Sequence, residues 1–204
     1  MAARPLTARG EATRTRIVQA AAKRVYAQGA RGTSLDEIME DSGTSKSQLY
    51  HYFADKDALL RAVIQLQTSR VMQAQMPQIQ RLDSMKGLRR WRDALVAISK
   101  AHAGPGGCPL GSLASELADH SESARKLLMD GFQTWESHLV KGLRAMQGHG
   151  ELSADADPAD LATGIICAMQ GGLLLAQTQR TARPVRVALD MALGNIERYV
   201  VHTS

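Results

Sequence analysis

The sequence predicts an all-α protein with a three-helix, helix-turn-helix domain at its N-terminus and a larger helical domain after it. Apolar residues recur at three- and four-residue spacing along nearly the whole chain, and no segment alternates convincingly with a period of two. Ser, Asp and Pro stand where helices would begin, and glycines stand where they would end. We place the boundary after residue 54, which gives a domain at 1–54 and another at 55–204.

The first helix is predicted from an apolar stripe that runs up to Gly29, where a left-handed residue would end the helix. A short second helix begins at Ser34, because Ser34 and Glu37 have the spacing of a capping box. This helix ends at Ser42 and Gly43. The stripe of the first helix consists of Ile17, Val18, Ala21, Ala22, Val25 and Tyr26.

The third helix covers the stretch SKSQLYHYF (45–53), which holds three aromatic residues in a chain whose aromatic content is only 4%. Ser45 and Gln48 form a second capping box one turn after the second helix. Two short capped helices joined by a tight turn have the dimensions of a helix-turn-helix, whose second helix enters the major groove of DNA. We therefore interpret 45–53 as a recognition helix.

Helical geometry divides the side chains of this helix into two faces. Leu49, Tyr52 and Phe53 can pack inward. Gln can address a base edge bidentately, Lys can reach a guanine edge or a phosphate, and Tyr and His can donate to phosphate oxygens. The outward-facing candidates are Lys46, Ser47, Gln48, Tyr50 and His51.

The next three helices are predicted from caps and apolar spacing. Asp55 caps a fourth helix with Leu59, Leu60, Val63, Ile64 and Leu66 along it. The fifth carries Leu88, Trp91, Leu95 and Ile98 and ends at the breaker GPGG (104–107). A sixth helix restarts at Cys108 and Pro109, with Pro at its first position.

Three longer helices complete the chain. A stripe from Leu128 to Met146 predicts a seventh helix that ends at Gly148. An Asp157-Pro158 pair and an Arg183-Pro184 pair then open helices over 158–180 and 184–202.

Positive charge is concentrated near the N-terminus. The chain has a net charge of +5, yet residues 1–32 alone hold seven basic residues and one acidic residue. A charge run is usually just a solvated helix face, but this one directly precedes the aromatic recognition helix. The combination favours a nucleic-acid partner.

The composition indicates a soluble cytoplasmic protein. A chain of 204 residues can bury a substantial core, and two cysteines, Cys108 and Cys167, are too few for a disulfide framework. We find no leader-peptide pattern. The apolar stretch 161–176 is shorter than the ~20 residues that span a bilayer, so we interpret it as a buried helix and expect no membrane contact.

The stretch TSLDEIMEDSGTSKSQLYHYFADKDALL (33–60) resembles the DNA-binding signature of the TetR-type transcriptional regulators. The likeness lies in the turn glycine Gly43, in LYHYF at 49–53 and in the Asp-Lys pair after it. It implies a homodimer on a pseudo-palindromic operator, with repression as the usual mode. One departure is Ser47, where the family often has a glycine that contacts a base edge.

The resemblance also implies that Thr33, Lys46, Tyr50, His51 and Lys56 contact the DNA backbone or base edges. The complete predicted set of DNA-binding residues is therefore Thr33, Ser45, Lys46, Ser47, Gln48, Tyr50, His51 and Lys56.

By the same resemblance, the larger domain binds a small-molecule effector and forms the dimer through helices 158–180 and 184–202. Gly164, Ala168, Gly171 and Gly172 would allow close backbone approach, while leucines such as Leu189 supply apolar area. Internal packing within one subunit is the alternative use of part of these faces. The candidate effector cavity is lined by Trp91, Met129, Phe132, Trp135, Met169 and Gln170, residue types that more often form plain core.

Cys108 allows two interpretations. At a predicted helix N-cap, free N–H groups and the helix dipole favour a reactive thiolate. The surrounding Gly-Cys-x-x-Gly stretch resembles a TetR subgroup that includes electrophile-sensing members, with His102 the nearest histidine. Alternatively, Cys108 is a small, unreactive buried residue, as we expect of Cys167 in the middle of its apolar helix.

Other function classes are less well supported. Gly111-Ser112-Leu113 lacks the second glycine of a nucleophile elbow, and a Cys108–His102 pair has no evident third group to orient the base. The histidine spacing matches no common zinc motif, so we expect no catalytic residue, metal or cofactor. An architectural DNA-binding protein without an effector would not need so long a second domain.

Overall fold

The computed structural model describes residues 6–101 and 107–201. Within these ranges the chain forms nine α-helices and a short 3₁₀ helix, Gln78–Gln80, and no strand longer than a single isolated bridge. The all-α prediction is confirmed. The helices are α1 (Ala8–Gly32), α2 (Leu35–Ser42), α3 (Lys46–Tyr52), α4 (Lys56–Ala74), α5 (Met85–Ala101), α6 (Pro109–Leu117), α7 (Glu122–Gly148), α8 (Pro158–Gln179) and α9 (Arg183–Glu197).

Local capping signals were reliable guides to where helices begin and end. Both predicted capping boxes form, at Ser34 and at Ser45. Gly43 adopts the left-handed conformation at the end of α2, with φ 60° and ψ 40°. The Asp55 carboxylate accepts from the N–H of Ala58 at 2.6 Å, and Asp157 caps α8 in the same way.

The predicted end of the first helix was wrong in detail. Gly29 has a positive φ of 82°, but its ψ of 162° is extended rather than left-handed. The chain therefore kinks at Gly29, and helical structure resumes as far as Gly32. A glycine is still required, because this backbone conformation is strained for any residue with a Cβ.

The chain forms two compact units. The first contains the residues up to Ser69 together with Ser112–Met129, and the second contains Arg70–Gly111 and the residues from Asp130 onward. The first unit thus extends beyond residue 54 and takes in a distant segment of the sequence. Its buried core includes Ile17, Ala21, Ile38, Leu49, Leu59 and Val63.

The core of the second unit is built from α5, α7, α8 and α9. Helices α8 and α9 pack so closely that a Cβ added at Gly172 would lie 2.9 Å from the Cα of Val185. The fully buried residues here include Leu88, Trp91, Leu139, Leu143, Met146, Met169 and Leu189.

Helix α9 ends at Glu197, earlier than predicted. The backbone after it becomes extended and pairs with the segment after α7. Ser153 donates its N–H to the carbonyl of Tyr199 at 2.8 Å, and Val201 donates to that of Glu151 at 3.0 Å.

Helix α8 is buried on one face only, so the prediction of a buried helix holds for that face alone. Leu174 is 61% exposed and Leu175 50% exposed. Cys167 is also exposed, contrary to the expectation that it belongs to the core. By length and composition this helix could cross a membrane, but a helix packed in a soluble protein passes the same test.

Candidate DNA-binding surface and effector unit

Helix α3 presents a polar surface because its apolar side chains fix it to the first unit. Leu49 and Phe53 are buried, and the guanidinium of Arg14 lies 5.2 Å from the centre of the Phe53 ring. Ser45, Lys46, Ser47, Gln48, Tyr50 and His51 are exposed, as the helical angle predicts. The structure therefore brings six of the predicted DNA-binding residues together on one helix and its cap.

The aromatic residues of α3 have different surroundings. Tyr52 is half-buried, and its ring meets that of His51 edge to face with 4.8 Å between centroids. Tyr50 points away from the core and is 45% exposed. The phenol of Tyr50 and the imidazole of His51 are thus available to donate to phosphate oxygens.

Gln48 is less free than the sequence suggests. Its Oε1 accepts from the backbone N–H of Ser45 at 2.9 Å, while the Ser45 hydroxyl accepts from the N–H of Gln48 at 3.2 Å. A bidentate contact with adenine uses both the oxygen and the nitrogen of the amide. With the capping box intact, the Nε2 donor remains for DNA together with the second lone pair of Oε1, so the bidentate contact stays a prediction.

Thr33 does not expose its side chain. It is 1% exposed, and its hydroxyl donates to the carbonyl of Gly29 at 2.8 Å. The Thr33 side chain therefore braces the turn between α1 and α2, and the contact of this residue with DNA stays a prediction. Lys56, by contrast, opens α4 in a half-buried position.

Much of the N-terminal positive charge braces the first unit. Arg24 forms ion pairs with Asp41 at 2.6 Å and with Glu37 at 3.1 Å. The hydrogen bond from Arg24 lowers the pKa of Asp41, and hydrogen bonds from Ser34 lower the pKa of Glu37. Arg16 donates to the carbonyl of Ser42 at the end of α2. These arginines fix the position of α2 against α1.

The second unit contains a buried polar cluster that the sequence did not reveal. The indole N–H groups of Trp91 and Trp135 both donate to Oε1 of Gln75, at 2.9 Å and 3.0 Å. The Gln75 amide donates in turn to the carbonyl of Val71 at 2.9 Å. All three side chains are buried, so the tryptophans belong to a hydrogen-bonded core.

The other predicted cavity residues are dispersed. Met169 is fully buried, Phe132 is half-buried and Met129 is exposed. His102 lies outside the described residues. The predicted cavity residues thus range from core to surface, which agrees with the core interpretation for Trp91, Trp135 and Met169.

Cys108 is buried at the start of α6. Burial raises the pKa of its thiol, although backbone N–H groups of Gly111 and Leu110 and the Gln170 amide stabilise the thiolate. The Gln170 Nε2 lies 3.4 Å from the sulfur. Of the two interpretations, these surroundings favour the small, unreactive buried residue, because burial raises the pKa of the thiol more than the nearby donors lower it.

Two family models match the chain. A model described as tetR-family bacterial regulatory proteins matches residues 17–63, and one described as a tetracyclin repressor-like C-terminal domain matches residues 84–192. The first match contains the whole of α2 and α3, and the second spans α5 to α8.

Individual relatives agree with the family models. A helix-turn-helix regulator from the lacX 3′ region of Lactococcus lactis is 29% identical over 91% of this chain and 94% of its own. The helix-turn-helix transcriptional repressor DhaR of a Mycobacterium species is 24% identical over 84% of this chain and 86% of its own.

A solved structure confirms the fold. The crystal structure of a TetR transcriptional regulator from Chloroflexus aurantiacus superposes with a TM-score of 0.81, at 25% identity, over 95% of this chain and 98% of that one. From the matched domains and the exposed recognition helix, we conclude that the chain is a helix-turn-helix DNA-binding protein and belongs to the TetR family of transcriptional regulators.

Proposed function

We propose that the protein is a repressor that binds a pseudo-palindromic operator as a homodimer and is released by a non-covalent small-molecule effector. The observation that carries the proposal is the polar surface of α3, held in place by a capping box and two buried apolar residues. In this proposal, residues 1–54 contact DNA together with Lys56 at the start of α4, and the rest of 55–204 binds the effector and forms the dimer. The protein would act in the cytoplasm, where its operator lies.

The DNA contacts we propose come from the exposed residues of α3 and the start of α4. Lys46 and Lys56 supply positive charge for phosphates, and Tyr50 and His51 supply further hydrogen-bond donors. Base edges can be contacted by the short hydroxyl side chains of Ser45 and Ser47 and by the amide donor Nε2 of Gln48.

The proposed dimer face lies on α8 and α9. It combines large exposed apolar residues with glycines that have nothing within 4 Å of where a Cβ would stand, among them Gly164, Gly171 and Gly194. Met191 is 73% exposed and Leu174 61% exposed in the single chain. A two-fold dimer interface uses the same patch on both subunits, so the patch must be complementary to itself. Exposed apolar side chains next to glycines allow a second, identical helix pair to pack closely here. A second copy of this chain is therefore the proposed occupant.

Repression is supported by the similarity of this chain, along most of its length, to the transcriptional repressor DhaR. A dimer that covers two successive major grooves can exclude other proteins from the same DNA. Release then requires an effector with greater affinity for a conformation that fits the operator less well.

A non-covalent effector is favoured over thiol modification. Alkylation or oxidation proceeds through the thiolate, and the buried Cys108 has a raised pKa. The exposed cysteine is Cys167, which lies on the proposed dimer face. A thiol reagent applied to the wild type would therefore perturb dimerisation before it reached Cys108.

The experiment uses an operator selected from random duplexes and fluorescence anisotropy at one fixed salt concentration. We expect the wild type to prefer the selected duplex to a scrambled one, and His51→Ala or Tyr50→Phe to weaken operator binding without loss of helicity. Gln65→Ala, at an exposed position of α4, is the control. Equal affinity for the selected and scrambled duplexes would refute sequence-specific regulation and support an architectural role.

A second arm tests the mode of release in a Cys167→Ser background. We expect N-ethylmaleimide to leave operator binding unchanged. Release by the reagent in this background, abolished by a further Cys108→Ser change, would instead establish a thiol-gated regulator.

A further inference from the structure

The kink at Gly29 is closed by a carboxylate from a distant part of the sequence. Oε2 of Glu116, in α6, accepts from the backbone N–H of Ala30 at 2.7 Å and from that of Arg31 at 3.3 Å. Residues 112–129 belong to the first compact unit, so these contacts lie within that unit.

The kink creates the need for this acceptor. Non-helical dihedral angles at Gly29 interrupt the backbone ladder of α1, so a new helical turn starts just after it. The first N–H groups of a helical turn have no partner within it and require an acceptor from elsewhere. A carboxylate forms stronger hydrogen bonds to such donors than a neutral group does.

The segment held by Glu116 leads directly into the helix-turn-helix. The Thr33 hydroxyl donates to the carbonyl of Gly29 at 2.8 Å, and Gln28 Nε2 donates to the carbonyl of Gly32 at 3.2 Å. The same Gln28 nitrogen lies 3.1 Å from a Glu37 carboxylate oxygen. Glu37 accepts from the N–H of Ser34 at 2.9 Å and thereby completes the capping box of α2.

Glycine at position 29 fits the carboxylate as well as the backbone. A Cβ at this position would stand 2.9 Å from Glu116 Oε2, closer than a carbon and an oxygen can pack without displacement. The missing side chain leaves space through which Glu116 reaches the amides.

We propose that Glu116 is a positioning residue for DNA recognition, which fixes the Gly29–Thr33 turn and thereby sets the position of α2 and α3. This inference rests on the proposed function, since it assumes an operator to be recognised. It also means that the DNA-binding unit is completed by a residue from the segment 55–204, beyond the predicted boundary at residue 54. An effector that displaced the end of α6 would withdraw the carboxylate and free the turn.

The test compares three substitutions at position 116 in the full-length protein. Glu116→Ala removes the acceptor, Glu116→Gln keeps its length without the charge, and Glu116→Asp keeps the charge on a side chain one methylene shorter. Glu122→Gln is the matched control, because Glu122 is an exposed acid in the same unit that pairs with Arg125. Operator and scrambled-duplex affinities, circular dichroism and amide exchange at Ala30 and Arg31 are measured for each.

We expect Glu116→Ala to bind the selected operator about tenfold more weakly, because a smaller fraction of molecules holds the competent arrangement. The amides of Ala30 and Arg31 should exchange faster, and affinity for the scrambled duplex should not fall. Glu116→Gln should retain most of the operator affinity, and Glu116→Asp should lose more. If only the net charge mattered, Glu116→Ala would instead bind the operator more tightly, because removing a negative charge strengthens binding to a polyanion.

The outcomes separate this inference from the proposed function. If the wild type shows no preference for its selected operator, the proposed function fails. If the wild type shows that preference and all three variants match it, the positioning role of Glu116 is overturned. If Glu116→Ala is too unstable to assay, the operator affinities of Glu116→Gln and Glu116→Asp decide the question. The inference would also be overturned if the Glu116→Asp variant bound the operator as tightly as the wild type and the Glu116→Gln variant did not.

Discussion

Replacing Gln75 with leucine should destabilise the second unit by a predictable amount. Gln75 Oε1 is the acceptor for both indole N–H groups, and the three side chains are buried. Leucine has a similar volume but no acceptor. Gln75→Leu therefore removes two hydrogen bonds from donors that have no access to water.

The magnitude follows from the cost of leaving buried donors without partners. Each unsatisfied indole N–H costs about 1–3 kcal/mol, which gives about 2–6 kcal/mol for the pair. Burial of the leucine side chain offsets about 1–2 kcal/mol of this cost. We expect a net loss centred on about 2.5 kcal/mol, within a range of about 0–5 kcal/mol. The central value lowers the melting temperature by about 5–10 °C for a chain of this size.

The assay is intrinsic fluorescence during urea unfolding, because Trp91 and Trp135 are the two tryptophans of the chain. Gln73→Leu is the matched control, since Gln73 is exposed in the same turn region and its change should cost less than about 0.5 kcal/mol. In a Trp91→Phe background, where one donor is already absent, Gln75→Leu should cost about half as much. A wild-type midpoint for Gln75→Leu would show that the indoles find other acceptors and that Gln75 does not hold this core together.

Three further outcomes follow from the structure. Leu174→Glu should convert the dimer to monomers in analytical ultracentrifugation, because it places a charge on the proposed interface; unchanged mass would move the interface elsewhere. In the Leu174→Glu monomer, Cys167 should react with a maleimide at neutral pH, because it is exposed in the single chain. Cys108 should require a pH above the usual thiol range, because its raised pKa keeps the buried thiol protonated. Equal reaction rates of the two cysteines, measured by mass spectrometry, would contradict this. Gln48→Glu should preserve the capping box and thermal stability but weaken operator binding, because the Nε2 donor is lost. Gln48→Ala should also lose about 1 kcal/mol of stability. Unchanged operator affinity for Gln48→Glu would remove Gln48 from the contact set.

Features that depend on a few neighbouring residues could be predicted from the sequence. The caps at Ser34, Ser45 and Asp157 formed as expected because donor and acceptor lie within three residues of one another. The turn at Gly43 followed from the conformational freedom of glycine. The recognition helix was identifiable for the same reason, since its caps and its apolar spacing are local.

Features that depend on distant partners could not be predicted. Trp135 meets Gln75 across 60 residues, and Glu116 meets Ala30 across 86, so no local pattern links them. The misassignment of Cys167 has a different cause. Periodicity identifies an apolar face but does not distinguish a face covered by the same chain from one left for a second copy.

The recognition helix has only seven residues, too few to be stable by itself in water. Its position is therefore determined by what surrounds it, and several polar residues of the first unit serve that purpose. Gln48 caps the helix, Arg14 packs on its last buried aromatic ring, and Arg24 holds the preceding helix through Asp41 and Glu37. These side chains make their contacts within the first unit in the absence of DNA. Three of the seven basic residues of the N-terminal segment, Arg14, Arg16 and Arg24, are therefore engaged in contacts that keep α2 and α3 in place, so the net charge of the segment overstates the charge available to phosphates.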